Sequence, residues 1–166
     1  MENIKNPGCE FCFSPQEDAR FILLDTKYWR IVFANNQNYP GRFIVQLLRH
    51  CPRLSQITEE ENSEFLLIIR ACEQAWEEEL GVTNFNWHCL MNGGYEQKPY
   101  NPHVHWHCLP RYDHPVKLSE GKFIDKLFGH HYTIDQTWQL PYVDRIDMHA
   151  KLQKKLRELL ETNSTI

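Results

Sequence analysis

The stretch Asn101-Pro102-His103-Val104-His105-Trp106-His107-Cys108-Leu109-Pro110-Arg111 decides how the rest of the chain is read. Its histidines alternate with Val104, Trp106 and Cys108, and alternation with a period of two is the signature of a strand. At roughly 3.3 Å of rise per residue, His103, His105 and His107 project from one face about 6–7 Å apart, with their apolar partners turned into a core. Pro102 and Pro110 bracket the run, as proline does at strand ends rather than inside a sheet. Imidazole is the side chain that serves as base, nucleophile or metal ligand near neutral pH. Lining up His103, His105 and His107 on one face therefore points to chemistry more than to a polar surface.

Working backwards, Asn84 to Met91 alternates Phe85, Trp87, Cys89 and Met91 with polar residues, which predicts a strand, and Asn92-Gly93-Gly94 turns the chain into the loop before the histidines. The clearest helix precedes it. Thr58 with Glu61 fits a capping box, Phe65, Ile69, Cys72, Trp76 and Leu80 form one apolar face, and Gly81 closes the helix. Three further strands are expected at Arg20–Thr26, Tyr28–Ala34 and Phe43–Leu48, with Asn35 to Gly41 as loop. Strands in runs around one long helix, without β-α-β alternation, predict an α+β domain on a mostly antiparallel sheet of about five strands.

Near the N-terminus, Cys9-Glu10-Phe11-Cys12 has the spacing at which two thiolates share a tetrahedral zinc. The alternative, a redox pair, belongs at a strand-to-helix junction, and nothing helical is legible after Cys12. His50, at the exit of the third strand, reads in isolation as structural or solvated. Beyond Arg111, a final amphipathic helix is expected with Leu152, Leu156, Leu159 and Leu160 on one face and Asp144 or Asp147 as its cap. The adjacent His130 and His131 would point to opposite faces of a strand and are not expected to share a ligand.

Length and charge narrow the function. The 166 residues suit a single domain spanning 1–166, with 112–166 packed on it as a C-terminal extension. A net charge of −4 argues against broad nucleic-acid or membrane-surface binding, while leaving room for a small anionic substrate. No run approaches the ~18 apolar residues of a membrane span. The first residues carry no apolar signal segment, so the six cysteines are expected to be reduced and the protein cytoplasmic.

Taken together, these segments resemble the histidine triad (HIT) superfamily. Its pattern His-φ-His-φ-His-φ-φ is met by His103-Val-His105-Trp-His107-Cys-Leu, and Pro40-Gly41, followed by a strand ending at Arg49-His50, is similar to its Pro-Gly-His…Lys-His segment. Leu54 to Glu61 is similar to its helix start, and Asn92-Gly93 resembles its Asn-x-Gly turn; the likeness covers residues 9 to about 111.

The resemblance implies a structural zinc on Cys9, Cys12, His50 and His103, a closed set with no open coordination place. It implies nucleotidyl transfer, with His105 as nucleophile at the α-phosphorus of a nucleotide such as a dinucleoside polyphosphate, and His107 on the phosphate oxygens or leaving group. Asn92 is expected to donate to the phosphate, and Asn36, beside Ala34 where the family often has an acidic residue, to contact the ribose. A homodimer is implied as well. Two departures stand out: Arg42 replaces the histidine of Pro-Gly-His, and Glu96-Gln97-Lys98-Pro99-Tyr100-Asn101 stands where Gly-Gln-Ser commonly precedes the triad. Help for the leaving group then falls to Gln97, Lys98, Tyr100 or Asn101. The alternatives are a non-catalytic nucleotide-binding relative on the same scaffold, and a metalloenzyme in which the histidine strand itself holds an open-site metal.

Overall fold

The computed structural model describes residues 5, 6, 8–12, 19–96, 98–133 and 137–161. Its centre is a five-stranded sheet in the order β1 (Ile22–Asp25), β2 (Trp29–Phe33), β3 (Phe43–Leu47), β5 (His105–Arg111), β4 (Asn84–His88), every neighbouring pair antiparallel. Strand β2 alternates between buried and half-buried residues throughout. Trp29, Ile31, Phe33, Phe43, Val45, Leu47 and Cys108 are all fully buried on one face of the sheet. That face packs on helix α1 (Glu59–Leu80) through Phe65, which meets Trp29, Trp87 and Trp106, and through Trp76 against Phe43.

Helix α1 starts and stops as its residues dictate. The Thr58 side chain accepts from the Glu61 N–H while the Glu61 carboxylate accepts from the Thr58 N–H, and Gly81 closes the last turn in the left-handed region at φ 70°. Glu61 is used twice. Its carboxylate, 2% exposed, also takes the guanidinium of Arg49 at 2.5 and 2.8 Å, tying the end of β3 to the helix start.

The opposite face carries Arg42, Ile44 and Gln46 beside β3, His105 and His107 on β5, and Asn86 and His88 on β4, with Ile44, His107 and His88 in cross-strand register. The C-terminal part of the chain closes over one end of it. A short hairpin, β6 (Val116–Lys117) and β7 (Lys122–Phe123), leads to Asp125, which is ion-paired to Arg111 with both side chains buried (Nε–Oδ2 2.6 Å). Helix α2 (Tyr142–Glu161) then packs on α1 and β1, burying Met148, Leu152 and Leu156. Among the described residues no helix is long and apolar enough to cross a membrane.

Three sequence expectations are corrected. Pro110 lies inside β5 opposite Phe85, which is tolerated because β3 pairs with β5 only as far as Cys108 and leaves the proline nitrogen without a ladder to serve. Strand β4 ends at His88 rather than Met91, since Met91 takes a left-handed conformation (φ 52°) to enter the turn Asn92–Tyr95. Neither Asp144 nor Asp147 caps α2, which begins at Tyr142; Asp144 instead accepts from the Ser119 N–H and hydroxyl.

Candidate functional site: a histidine strand and a buried thiol–imidazole cluster

Each histidine of the triad is held by a different partner. His103 sits just ahead of β5, where Val104 donates to the Cys51 carbonyl and its own carbonyl accepts from Leu47. The His103 Nε2–H donates to the Leu47 carbonyl at 2.8 Å, which leaves Nδ1 bare. That nitrogen faces Cys9 Sγ at 3.3 Å and Cys12 Sγ at 3.6 Å, and His50 Nδ1 lies 3.5 Å from Cys12 Sγ. One donor atom from each of Cys9, Cys12, His50 and His103 falls within 4.8 Å of all the others.

The donor chemistry of this cluster fits a zinc ion. Burial lowers the His103 pKa to about 4, keeping the ring neutral as a ligand must be. Burial likewise pushes the Cys9 thiol up to about 11, so paired thiolates here require a cation beside them. Thiolate and imidazole donors in a Cys₂His₂ set match structural zinc, and the carbonyl on the far nitrogen of His103 is the partner that orients such a ligand.

His105 is oriented by the backbone. Its Nδ1–H donates to the His103 carbonyl at 2.8 Å, which places the lone pair on Nε2, 3.1 Å from His107 Nε2. His107 then holds its proton on Nε2, and its Nδ1 is buried without a hydrogen-bond partner. Burial lowers the pKa of both rings, that of His107 to about 3 with His105, Arg42 and His88 adding to the effect. Two neutral imidazoles, one presenting a bare nitrogen and the other an N–H beside it, suit attack on an electrophile whose oxygens need a donor.

A cleft of about 640 Å³ opens beside His103 and His105, walled by Glu10, Phe11, Gly94, Lys98 and Tyr100. Gly94 is demanded by packing: a Cβ there would meet Pro102 Cα at 2.3 Å, where the Asn101 N–H donates to the Gly94 carbonyl at 2.8 Å. Gln97 lies outside the described residues. Lys98 and Tyr100 of the segment in place of Gly-Gln-Ser do reach the cleft, as does Asn101, whose side chain also meets that of Asn6 at 3.0 Å.

Neither of two further expected contacts, Asn92 and Asn36, lines this cleft. Asn92 opens the turn after β4 as an exposed side chain, and the neighbouring Gly93 and Gly94 face the cleft in its stead. Asn36 keeps its Oδ1 within the loop, accepting from the Asn38 N–H at 3.0 Å.

Four side chains at the site escaped the sequence reading. Phe11 stacks on His105, and its carbonyl accepts from Gln46 Nε2 at 3.0 Å. His88 stacks on His107 with ring centroids 5.2 Å apart, Tyr132 places its hydroxyl 3.2 Å from His88 Nε2, and Arg42 sits near enough to His88 and His107 to add its charge to both. For His88 a signal was present: Asn84, Asn86 and His88 alternate with Phe85 and Trp87, so the polar set shares a face. Arg42 is placed beside it only by the β3–β5 register, and Tyr132 only by the fold of the C-terminal part.

The fold is an antiparallel α+β sheet backed by one long helix, with His105 and His107 on β5 between β3 and β4 and His103 just ahead of that strand. The chain belongs to the HIT domain family, which residues 15–114 match. Solved structures agree on the fold. A hypothetical histidine triad nucleotide-binding protein from Sulfolobus tokodaii superposes with a TM-score of 0.61 at 12% identity, over 91% of this chain and 93% of that one. A zinc-bound histidine triad family protein from Mycobacterium smegmatis gives 0.58 at 15% identity, over 86% and 87%. The diadenosine triphosphate hydrolase of Plasmodium falciparum, in complex with cyclomarin A, gives 0.52 at 17% identity, over 87% and 79%. None of the curated proteins compared matches by sequence.

Proposed function

We propose that this protein is a nucleotide hydrolase or nucleotidyl transferase, acting at the α-phosphate of a substrate such as a dinucleoside polyphosphate through His105. The observation that carries this reading is the hydrogen bond from His105 Nδ1 to the His103 carbonyl, which fixes the tautomer with its lone pair on Nε2. In the first step that lone pair bonds to phosphorus as the bond to the leaving oxygen breaks, and the leaving group departs with the electron pair. His107, whose N–H lies beside the attacking nitrogen, swings its donor to the phosphoryl oxygens. In the second step water attacks phosphorus, the P–N bond breaks, and His105 regains its lone pair while the proton of water passes to solvent or phosphate.

Cys9, Cys12, His50 and His103 would hold a structural zinc, binding the N-terminal loop to the strand that carries the nucleophile. A homodimer is proposed from the exposed Leu66 and Leu67 of α1 and Leu90 beyond the open β4 edge. Six free cysteines suit a reducing cytoplasm.

The test is intact-protein mass spectrometry after brief mixing with diadenosine triphosphate or AMP phosphoramidate, with His105→Ala beside it. A nucleotide adduct or turnover in the wild type alone supports the reading. The alternative is a non-catalytic nucleotide-binding relative, which the loss of Gly-Gln-Ser before the triad favours; it is established by equal binding to both proteins with neither adduct nor product.

A further inference from the structure

The part of the chain after the histidine strand borders another cleft, of about 470 Å³, which shares no lining residue with the cleft beside His103 and His105. Its wall is aromatic. Phe123 of β7 packs on Trp138 with ring centroids 5.1 Å apart, and on Tyr39, edge to face, at 5.5 Å. Tyr39 belongs to the loop between β2 and β3, so the cleft forms only where that loop meets the C-terminal part. Asn38 fixes the junction. Its Nδ2–H donates to the Trp138 carbonyl at 2.9 Å, while among the described residues nothing donates to its buried Oδ1.

The rim of this cleft is cationic. Lys122 and Lys126 line it as exposed side chains, and among the described residues neither has a carboxylate within ion-pair distance. The acid in the lining, Asp125, is buried, and both its oxygens accept from Arg111, at 2.6 and 3.1 Å, so its charge is matched before any ligand arrives. A protein of net charge −4 thus sets a local positive rim over an aromatic wall. The volume suits a small molecule, since ligand pockets run from about 300 to 1,000 Å³. A flat ring adds to such a wall by stacking or edge contact, and an anionic group on that ring meets the two ammonium groups at the mouth.

We infer that Tyr39, Phe123 and Trp138, with Lys122 and Lys126, form a binding site for a small planar aromatic acid, separate from the histidine strand. The ring packs on the aromatic wall and the carboxylate lies toward the two lysines. A ring that carries an N–H, as an indole does, also complements the Asn38 Oδ1 on the same wall. The site does not depend on any chemistry at His105.

Titration of the full chain with indoleacetate and with its uncharged isostere indoleacetamide, followed by two-dimensional NMR of the amide and indole N–H groups, tests the site. Indoleacetate is expected to bind the wild type with a Kd below about 1 mM and to shift the Trp138 indole N–H and the Ile124 and Lys126 amides. Indoleacetamide keeps the ring and loses the charge, so it should bind about five- to tenfold more weakly, the effect of two exposed ion pairs. The double variant Lys122→Gln, Lys126→Gln changes two exposed side chains and leaves the aromatic wall in place. It should bind the two ligands with equal affinity. The site is overturned by no binding of indoleacetate to the wild type, by equal affinity of the wild type for both ligands, or by a preference for the acid that survives in the double variant. Shifts confined to residues around His103 and His105 overturn it as well.

Discussion

Phe11 lies flat against His105, with ring centroids 4.0 Å apart and 23° between the planes. Phe11 is the residue between Glu10 and Cys12, so the loop that presents the two thiols also covers the imidazole proposed as nucleophile. The Phe11 carbonyl is fixed in turn by Gln46, which pairs across the sheet with His105. Phe11→Ala is expected to slow formation of the His105 adduct by up to about tenfold, since aromatic pairs contribute ~0.5–1.5 kcal/mol beyond their area. Phe11→Tyr should retain the rate, and rapid-quench kinetics with single turnover reads both. An unchanged rate for Phe11→Ala removes the orienting role.

Metal content separates the thiol–imidazole cluster from the chemistry. Purified protein should contain one zinc per chain by inductively coupled plasma mass spectrometry, and Cys9→Ser or chelation should remove it. His107→Ala should leave it in place, because His107 offers no donor to the cluster. Removal should lower Tm by roughly 5–10 °C, the effect of losing about 2.7 kcal/mol of ligand-linked stability in a chain of this size. Zinc that departs with His107 instead would favour a metal on the histidine strand itself.

The Arg49–Glu61 pair makes stability depend on pH. Burial pushes the Glu61 carboxyl up, but donation from Arg49 and from the Thr58 N–H outweighs it and holds the group below its usual range. A depressed folded pKa means the contribution is fully present above the unfolded value, about 4.3, and is lost as pH falls through the folded one. Glu61→Gln should thus cost about 3 kcal/mol at pH 7, where it leaves the Arg49 guanidinium unpaired, and less near pH 2, where protonation of the Glu61 carboxyl weakens the pair in the wild type while Arg49 stays charged in both proteins. Urea titrations at the two pH values check this; a deficit of equal size at both would place the effect in packing.

Asp125→Ala probes the closure of the C-terminal part over the sheet. Arg111 gives its guanidinium to Asp125, to Asn86 and to the carbonyls of Leu127 and His130, so one arginine fastens the segment that carries Tyr132. Leaving that buried charge unpaired should destabilise by about 3–5 kcal/mol. Hydrogen exchange should rise most at residues 116–130, with β2 and β3 less affected. Uniform exchange across the chain would mean that the pair serves the whole fold.

The sequence alone determined the parts of this protein that depend on local pattern. Alternation at His105-Trp106-His107-Cys108 made a strand with an apolar and a polar side, and Thr58 with Glu61 set the start of α1 because a capping box is closed within one turn. The likeness to the HIT family likewise lay in contiguous segments, and so was legible without a structure. Tertiary structure decided which distant side chains meet. Cys9, His50 and His103 are 41 and 53 residues apart in order along the chain, and only the end of β3 running beside the start of β5 draws them into one cluster. The same cross-strand register put His88 against His107 and Arg42 beside both, while Asn92, one turn further on, was carried out to solvent. Periodicity reports which way a side chain points from its own strand; which strand becomes its neighbour is set by packing of the whole sheet on α1, and no local window contains that information.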